Sequence, residues 1–207
     1  NSFAAGSAVA VGNGAHAAGN FGVAAGRNSY AGYQAVATGY NASATGAPSI
    51  ASGLRASAIG DNSEALGAGS HTYVAGDTAL GQNAIAHGGN YATTSLIAAA
   101  TAVGSGASAT GRGSAAFGMN ATAAGSESVA IGFQANMPSS FILTPVSDTT
   151  NSVSIGGGEP SDVFADSLTG INYTGAQIAG MYSTSIGWAT EAFNRGDTAV
   201  GSHAHAG

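Results

Sequence analysis

Near the C-terminal end His203 and His205 alternate with an alanine, and a strand through them would place both rings on one face, where they could hold a metal ion. No third ligand accompanies them, and His16, His71 and His87 lie far apart along the chain and read as solvated side chains. Catalysis needs titratable groups that converge in a pocket, whereas the ten acids and five histidines are scattered. The chain therefore reads as a non-enzyme with no metal and no cofactor. None of its glycine-rich stretches is a phosphate loop, because no lysine follows them, and Asp61 and Asp77 do not recur at the nine-residue spacing of calcium-binding repeats. Arg195-Gly196-Asp197 spells the tripeptide that many integrins recognise, so these residues are candidate ligand contacts. Yet Arg195 to Gly201 matches Ala75 to Gly81 at all but two positions, which makes Gly-Asp ordinary turn chemistry of a repeat.

That repeat dominates the chain. A glycine recurs every seven residues, for example at Gly12, Gly19, Gly26, Gly39, Gly46, Gly53, Gly60 and Gly67, within the phrase (Ala/Ser)-x-Ala-x-Gly. A unit this short buries nothing alone and must lean on its neighbours, so the chain winds into a solenoid. Two and four residues before each glycine the side chains are small, as at Ala42 and Ala44 or Ala56 and Ala58, and they share the strand face that fills the coil. One and three residues before it the side chains point outward, and alternate heptads differ. One series carries Val9 and Val11, Val23, Val36, Ile50, Leu66, Leu80, Val103, Phe117, and Val129 with Ile131; the other carries His16, Ser43 with Thr45, Ser108 with Thr110, and Thr122. Glu64 interrupts the aliphatic series, and Ile59 and Ile85 interrupt the polar one. The predicted fold is all-β, with about 14 residues and two strands per coil. An aliphatic ladder on the outside of a soluble chain needs a cover, and self-association is the simplest one.

Composition agrees. The hydrophobic fraction of 44% is mostly alanine, so the core is thin, and only 7% of residues are charged. A net charge of −6 with four arginines offers no stripe for nucleic acid. Without cysteine there are no disulfides or thiolate metal sites. No run approaches the roughly 20 apolar residues of a membrane span, and no signal-peptide pattern opens the sequence. Intervals of 13 residues from Gly26 to Gly39, 23 from Gly81 to Gly104, 24 from Gly132 to Gly156 and 31 from Gly156 to Gly187 mark one deletion and three insertions. The segment from Phe133 to about Ser183 contains Phe141, Ile142, Leu143, Phe164, Leu168, Ile171, Tyr173 and Met181, enough apolar mass for a packed flap.

The phrases Ser128-Val129-Ala130-Ile131-Gly132, Asn151-Ser152-Val153-Ser154-Ile155-Gly156, Ala8-Val9-Ala10-Val11-Gly12 and Ser114-Ala115-Ala116-Phe117-Gly118 resemble the head repeat of trimeric autotransporter adhesins, the YadA-like family of bacterial surface proteins. The resemblance implies a left-handed parallel β-roll that forms a homotrimer through its aliphatic faces. The expected interface comprises Val9, Val11, Val23, Val36, Ile50, Leu66, Leu80, Val103, Phe117, Val129, Ile131, Ile155, Ile186 and Val200. Residues 1–132 are expected to form head repeats with an insertion near 89–100, residues 133–183 to be inserts flanking one head-like strand at 151–156, and residues 184–207 to resume the repeats. The resemblance further implies a virulence-associated surface protein held at the outer membrane through a part absent from this sequence. Its partners would be host extracellular-matrix proteins or cell-surface receptors. Self-association or a spacer role is the alternative, and an ice-binding solenoid a weaker one, because Thr38, Thr45, Thr110 and Thr122 do not form a continuous rank.

Overall fold

A computed structural model describes residues 1–90, 97–137, 152–156, 164–165, 172–173, 177–178, 182–187 and 190–207. Of the expected flap residues, Phe164 and Tyr173 are register partners in an antiparallel pair, Phe164–Ala165 with Asn172–Tyr173; Phe141, Ile142, Leu143, Leu168, Ile171 and Met181 lie outside the described residues. All regular structure among the described residues is β, and no helix there is long and apolar enough to cross a membrane. The chain divides into two compact units, Asn1–Gly106 and Ala107–Gly207.

In the first unit, short strands fall alternately into two sheets. The aliphatic sheet holds Val9–Val11, Val23–Ala25, Val36–Thr38, Ile50–Ser52, Glu64–Leu66, Thr78–Leu80 and Thr101–Val103; the polar sheet holds Phe3–Ala4, His16–Ala17, Tyr30–Ala31, Ser43–Ala44, Ser57–Ala58, His71–Thr72 and Ile85–Ala86. Neighbouring strands are parallel and usually 14 residues apart, as in Ile50↔Glu64↔Thr78. This is a parallel β-solenoid. The second unit repeats it, with Ala115–Phe117, Val129–Ile131, Val153–Ile155, Thr184–Ile186 and Thr198–Val200 in its aliphatic sheet. Its polar sheet holds Ser108–Ala109, Thr122–Ala123, Asn136–Met137, Gln177–Ile178, Glu191–Ala192 and His205–Ala206.

Alternation decides what is buried. Ala15, Ala17, Ala42, Ala44, Ala56, Ala58, Ala107, Ala109, Ala121 and Ala123 all turn inward and are buried. Because a methyl group contributes only about 0.8 kcal/mol of burial, the hydrogen-bonded ladder carries much of the coil's definition. It continues around the corners, where the amides of Asn41, Arg55, Gly69 and Asn83 donate to the carbonyls of Arg27, Tyr40, Leu54 and Ala68 at 2.8 to 3.0 Å. Serines inside the coil satisfy themselves locally: Ser29, Ser49, Ser63 and Ser70 donate to the carbonyl three residues earlier, at 2.6 to 2.9 Å.

The heptad glycines serve two purposes. Gly53, at the end of an aliphatic strand, has φ +137°, which an L side chain rarely adopts. Gly46, at the end of a polar-sheet strand, has no such angle, but any Cβ there would collide with the backbone of Gly60 in the next turn. Intervals between glycines reappear as register offsets: Val23↔Val36 is 13, Thr78↔Thr101 is 23, Val129↔Val153 is 24 and Val153↔Thr184 is 31. Each strand thus returns in phase after its insertion. The one near residues 89–100 forms an antiparallel pair, Gly89–Asn90 with Ile97–Ala98.

Candidate functional site: the outer sheet faces

Outward residues of each aliphatic sheet form two columns. The start column of the first unit is Val9, Val23, Val36, Ile50, Glu64, Thr78 and Thr101; the end column is Val11, Ala25, Thr38, Ser52, Leu66, Leu80 and Val103. Val11 is 61% exposed and Leu80 44%, whereas Val23, Val36, Leu66 and Val103 are shielded in part by rungs above and below. In the second unit the columns are Ala115, Val129, Val153, Thr184, Thr198 and Phe117, Ile131, Ile155, Ile186, Val200, and Val200 is 63% exposed. All fourteen residues expected at the interface therefore stand on the outward faces of aliphatic sheets. In each unit the face exposes an apolar ladder, which soluble chains avoid presenting.

The corners that border the first unit's aliphatic face differ in charge. Arg27 and Arg55 lie at exit corners, where the chain leaves the aliphatic sheet. The Arg27 guanidinium stands 4.6 Å from the centroid of the Tyr40 ring, and its hydrogen bond and charge hold that phenol below its ordinary value. Exposed acids lie on the other side: Asp61 at an entry corner, accepting the Ala47 amide at 2.8 Å, and Glu64 in the start column. Gln34, Val36, Pro48, Ile50, Asn62 and Glu64 line an open groove of about 370 Å³ along this entry edge.

On the polar sheet, Phe3, His16 and Tyr30 are register partners and stack face to face, with centroids 4.7 and 5.5 Å apart. A second cluster joins His71, Tyr73 and His87. The sequence reading treated these histidines as isolated; writing the chain out at fourteen residues per line would have brought His16 and Tyr30 into one column, with Phe3 one place aside.

The paired-histidine reading is corrected. His205 lies in a strand, edge-on to Phe193 at 5.1 Å and 3.8 Å from Glu191, whereas His203 sits in the preceding corner at φ +56° beside Ser202. The two rings do not share a strand face. No group of three histidine, aspartate or glutamate side chains fit to hold a metal occurs among the described residues. Arg195-Gly196-Asp197 forms an entry corner. Arg195 lies 5.3 Å over the Tyr182 ring, Gly196 has φ +78°, and the Asp197 carboxylate accepts the Asn194 amide at 2.7 Å. Asp77 holds the Val74 amide in the same way at 2.8 Å, so the corner geometry is common to both copies of the phrase.

Sequence reasoning also missed a second heptad position, two residues after most of the heptad glycines, that takes the left-handed conformation. Asn28, Asn41, Asn62, Asn83 and Asn120 occupy it with φ of 54 to 57°, and Phe21, Arg55 and Tyr182 occupy it as well. Recurrent asparagine was its signal, since asparagine tolerates this conformation better than most residues.

No curated protein matches this sequence. The YadA head domain repeat matches residues 1–29, 31–53, 51–70, 98–121 and 109–135, which together make up just over half of the chain. That family is one of surface-exposed adhesins and is not an enzyme family. With its glycine period, alanine-filled parallel solenoid and exposed aliphatic ladder, this chain belongs to the YadA head family, the heads of trimeric autotransporter adhesins.

Proposed function

We propose that this chain is the left-handed, homotrimeric head of a bacterial surface adhesin, anchored at the outer membrane by another part of the protein. It attaches to host cells or extracellular matrix by multivalent contact. The observation that carries this reading is the apolar ladder on the aliphatic sheets, whose burial between three copies turns the polar sheets outward. Three identical outward surfaces add weak contacts by avidity. Residues 1–132 and 184–207 serve as head repeats, and the inserts of residues 133–183 enlarge the binding surface. Asp197 is engaged by its own corner, so Arg195, Gly196 and Asp197 act as a turn of the repeat rather than as the receptor contact.

Sedimentation equilibrium tests the assembly: the expected mass is three times 19.7 kDa, and a monomer at micromolar concentration refutes it. Solid-phase binding to collagen, fibronectin and laminin, with and without residues 133–183, tests the adhesive role. Binding that survives Asp197→Glu and falls on deletion of the insert is the expected result. A trimer that binds none of these and causes only clumping of cells that display it would establish self-association instead.

A further inference from the structure

The aliphatic face of the first unit is polar in two senses at once, and both bear on how copies meet. Its entry edge carries the exposed Glu64 and Asp61, and its exit edge carries Arg27 and Arg55. No ion pair joins the two edges among the described residues, where the one pair present is His205 with Glu191. Volume is divided in the same way. Val36 and Ile50 in the start column are matched on their own strands by the small Thr38 and Ser52, while Leu66, Leu80 and Val103 in the end column are matched by Glu64, Thr78 and Thr101.

Face-to-face contact has two symmetric solutions. Copies related by rotation about the long axis of the solenoid run parallel, and each turn meets the same turn of its neighbour with unlike edges opposed. Copies related by a twofold axis across the face run antiparallel, with like edges opposed, so Glu64 and Asp61 would confront the acids of the other copy. Only the parallel solution sets acid against arginine and, turn by turn, sets Ile50 opposite Ser52 and Leu66 opposite Glu64. The groove lined by Gln34, Val36, Pro48, Ile50, Asn62 and Glu64 is centred on the turn that contains Ile50. Leu54 and Arg55, both exposed, close that same turn on the opposite edge and stand at the same height.

We propose that the entry-edge groove receives the exit edge of a second copy of this chain, with Glu64 facing Arg55, which closes the preceding turn of its neighbour, and that this pairing selects parallel association. The inference rests on the reading that copies cover the aliphatic face, and adds which edge meets which. Opposed charges select the partner's orientation, and like charges brought together penalise the wrong one.

The test is charge reversal on the full chain, followed by sedimentation. Glu64→Arg alone, and Arg55→Glu alone, each should raise the half-assembly concentration at least about tenfold. The double reversal, which exchanges the two charges, should restore it. Raising salt from 50 to 500 mM should weaken assembly of the unaltered chain and strengthen that of Glu64→Arg. Both positions are exposed, and recovery in the double variant shows that the altered chains fold. Assembly that Glu64→Arg leaves unchanged or improves overturns the pairing while leaving the trimer intact. A monomeric unaltered chain overturns the trimer itself, and this pairing with it.

Discussion

Asp77 is fully buried in a coil otherwise filled with alanine, serine and threonine, and its replacement offers a test with opposite signs for opposite explanations. It stands four residues before Gly81, a slot that holds Ser49, Ser63 or an alanine in other turns. If the slot needs only a small filler, Asp77→Ala relieves a buried carboxylate and is neutral or stabilising. The contacts argue otherwise. One carboxylate oxygen accepts the Ala100 amide at 2.8 Å, the other accepts the Val74 amide at 2.8 Å and the Tyr73 amide at 3.3 Å, and the Gly88 amide lies 3.2 Å from both. Gly88 and Ala100 are the two ends of the insertion that pairs Gly89–Asn90 with Ile97–Ala98. One side chain therefore closes the base of a loop whose ends have no neighbouring strand to satisfy them. Alanine fits the space, so the loss is confined to buried amides without acceptors, at about 1–3 kcal/mol each. Allowing for water entry and non-additivity, the total is about 3–4 kcal/mol. Hydrogen exchange is the assay, since a solenoid opens locally and a global midpoint would dilute the effect. The Gly88 and Ala100 amides should exchange two to three powers of ten faster in Asp77→Ala. Asp77→Asn, which keeps the shape but points a donor at donors, should give much of the same loss. Ser70→Ala, which removes one hydrogen bond of 2.9 Å to Gly67, should cost about 1 kcal/mol. Unchanged protection at Gly88 and Ala100 in Asp77→Ala would refute the argument.

Glycine should be required unequally. Gly53→Ala meets both an unfavourable φ of +137° and the Gly67 carbonyl at 2.5 Å, and should cost more than about 2 kcal/mol. Gly196→Ala, at φ +78° with nothing within 4 Å, should cost about 1 kcal/mol; urea unfolding of the two variants measures the difference, and equal losses would contradict it. Tyr40 should ionise below its ordinary value of 10.0, because the Arg27 hydrogen bond and charge favour the phenolate. Followed by ultraviolet absorbance, Arg27→Ala should move that midpoint upward. The sign for stability follows: a lowered folded value contributes only where the phenolate forms, in the alkaline range, and the contribution vanishes as pH falls.

Much of the coil was legible in advance for a physical reason. A thin roll leaves room inside only for methyl and hydroxymethyl groups, so the inward positions betray themselves as alanine and serine every second residue. Insertions were legible too, since Gly81 to Gly104 spans the same 23 residues as the register Leu80↔Val103. What stayed hidden depends on neighbours distant in sequence. Asp77 looks like a turn residue until Ala100, 23 positions later, arrives beside it. His203 looks like a strand partner of His205 until the corner claims it at φ +56°. Glu64 registered as a flaw in an aliphatic series because its counterpart, on the proposed reading, belongs to another copy of the chain.

In this architecture the residue positions divide sharply by what they are free to do. Inward positions are held to small side chains by the narrowness of the coil, and Gly46 and Gly53 are held by contact or by φ, so substitutions there register as stability. The outward columns have no such constraint, because a register of 14 maintained by backbone hydrogen bonds survives valine, threonine, glutamate or phenylalanine equally well. On the proposed adhesive reading, recognition is written in those columns and in the corner residues beside them. The polar sheets are uneven in this respect: Phe3, His16 and Tyr30 make one stacked aromatic patch, whereas Ser43, Ser57 and Ser108 present only hydroxyls. On the proposed reading, a face built mostly of small hydroxyls gains little from any one contact, so presentation in several copies, and with it the cover over the aliphatic face, decides whether such a head binds.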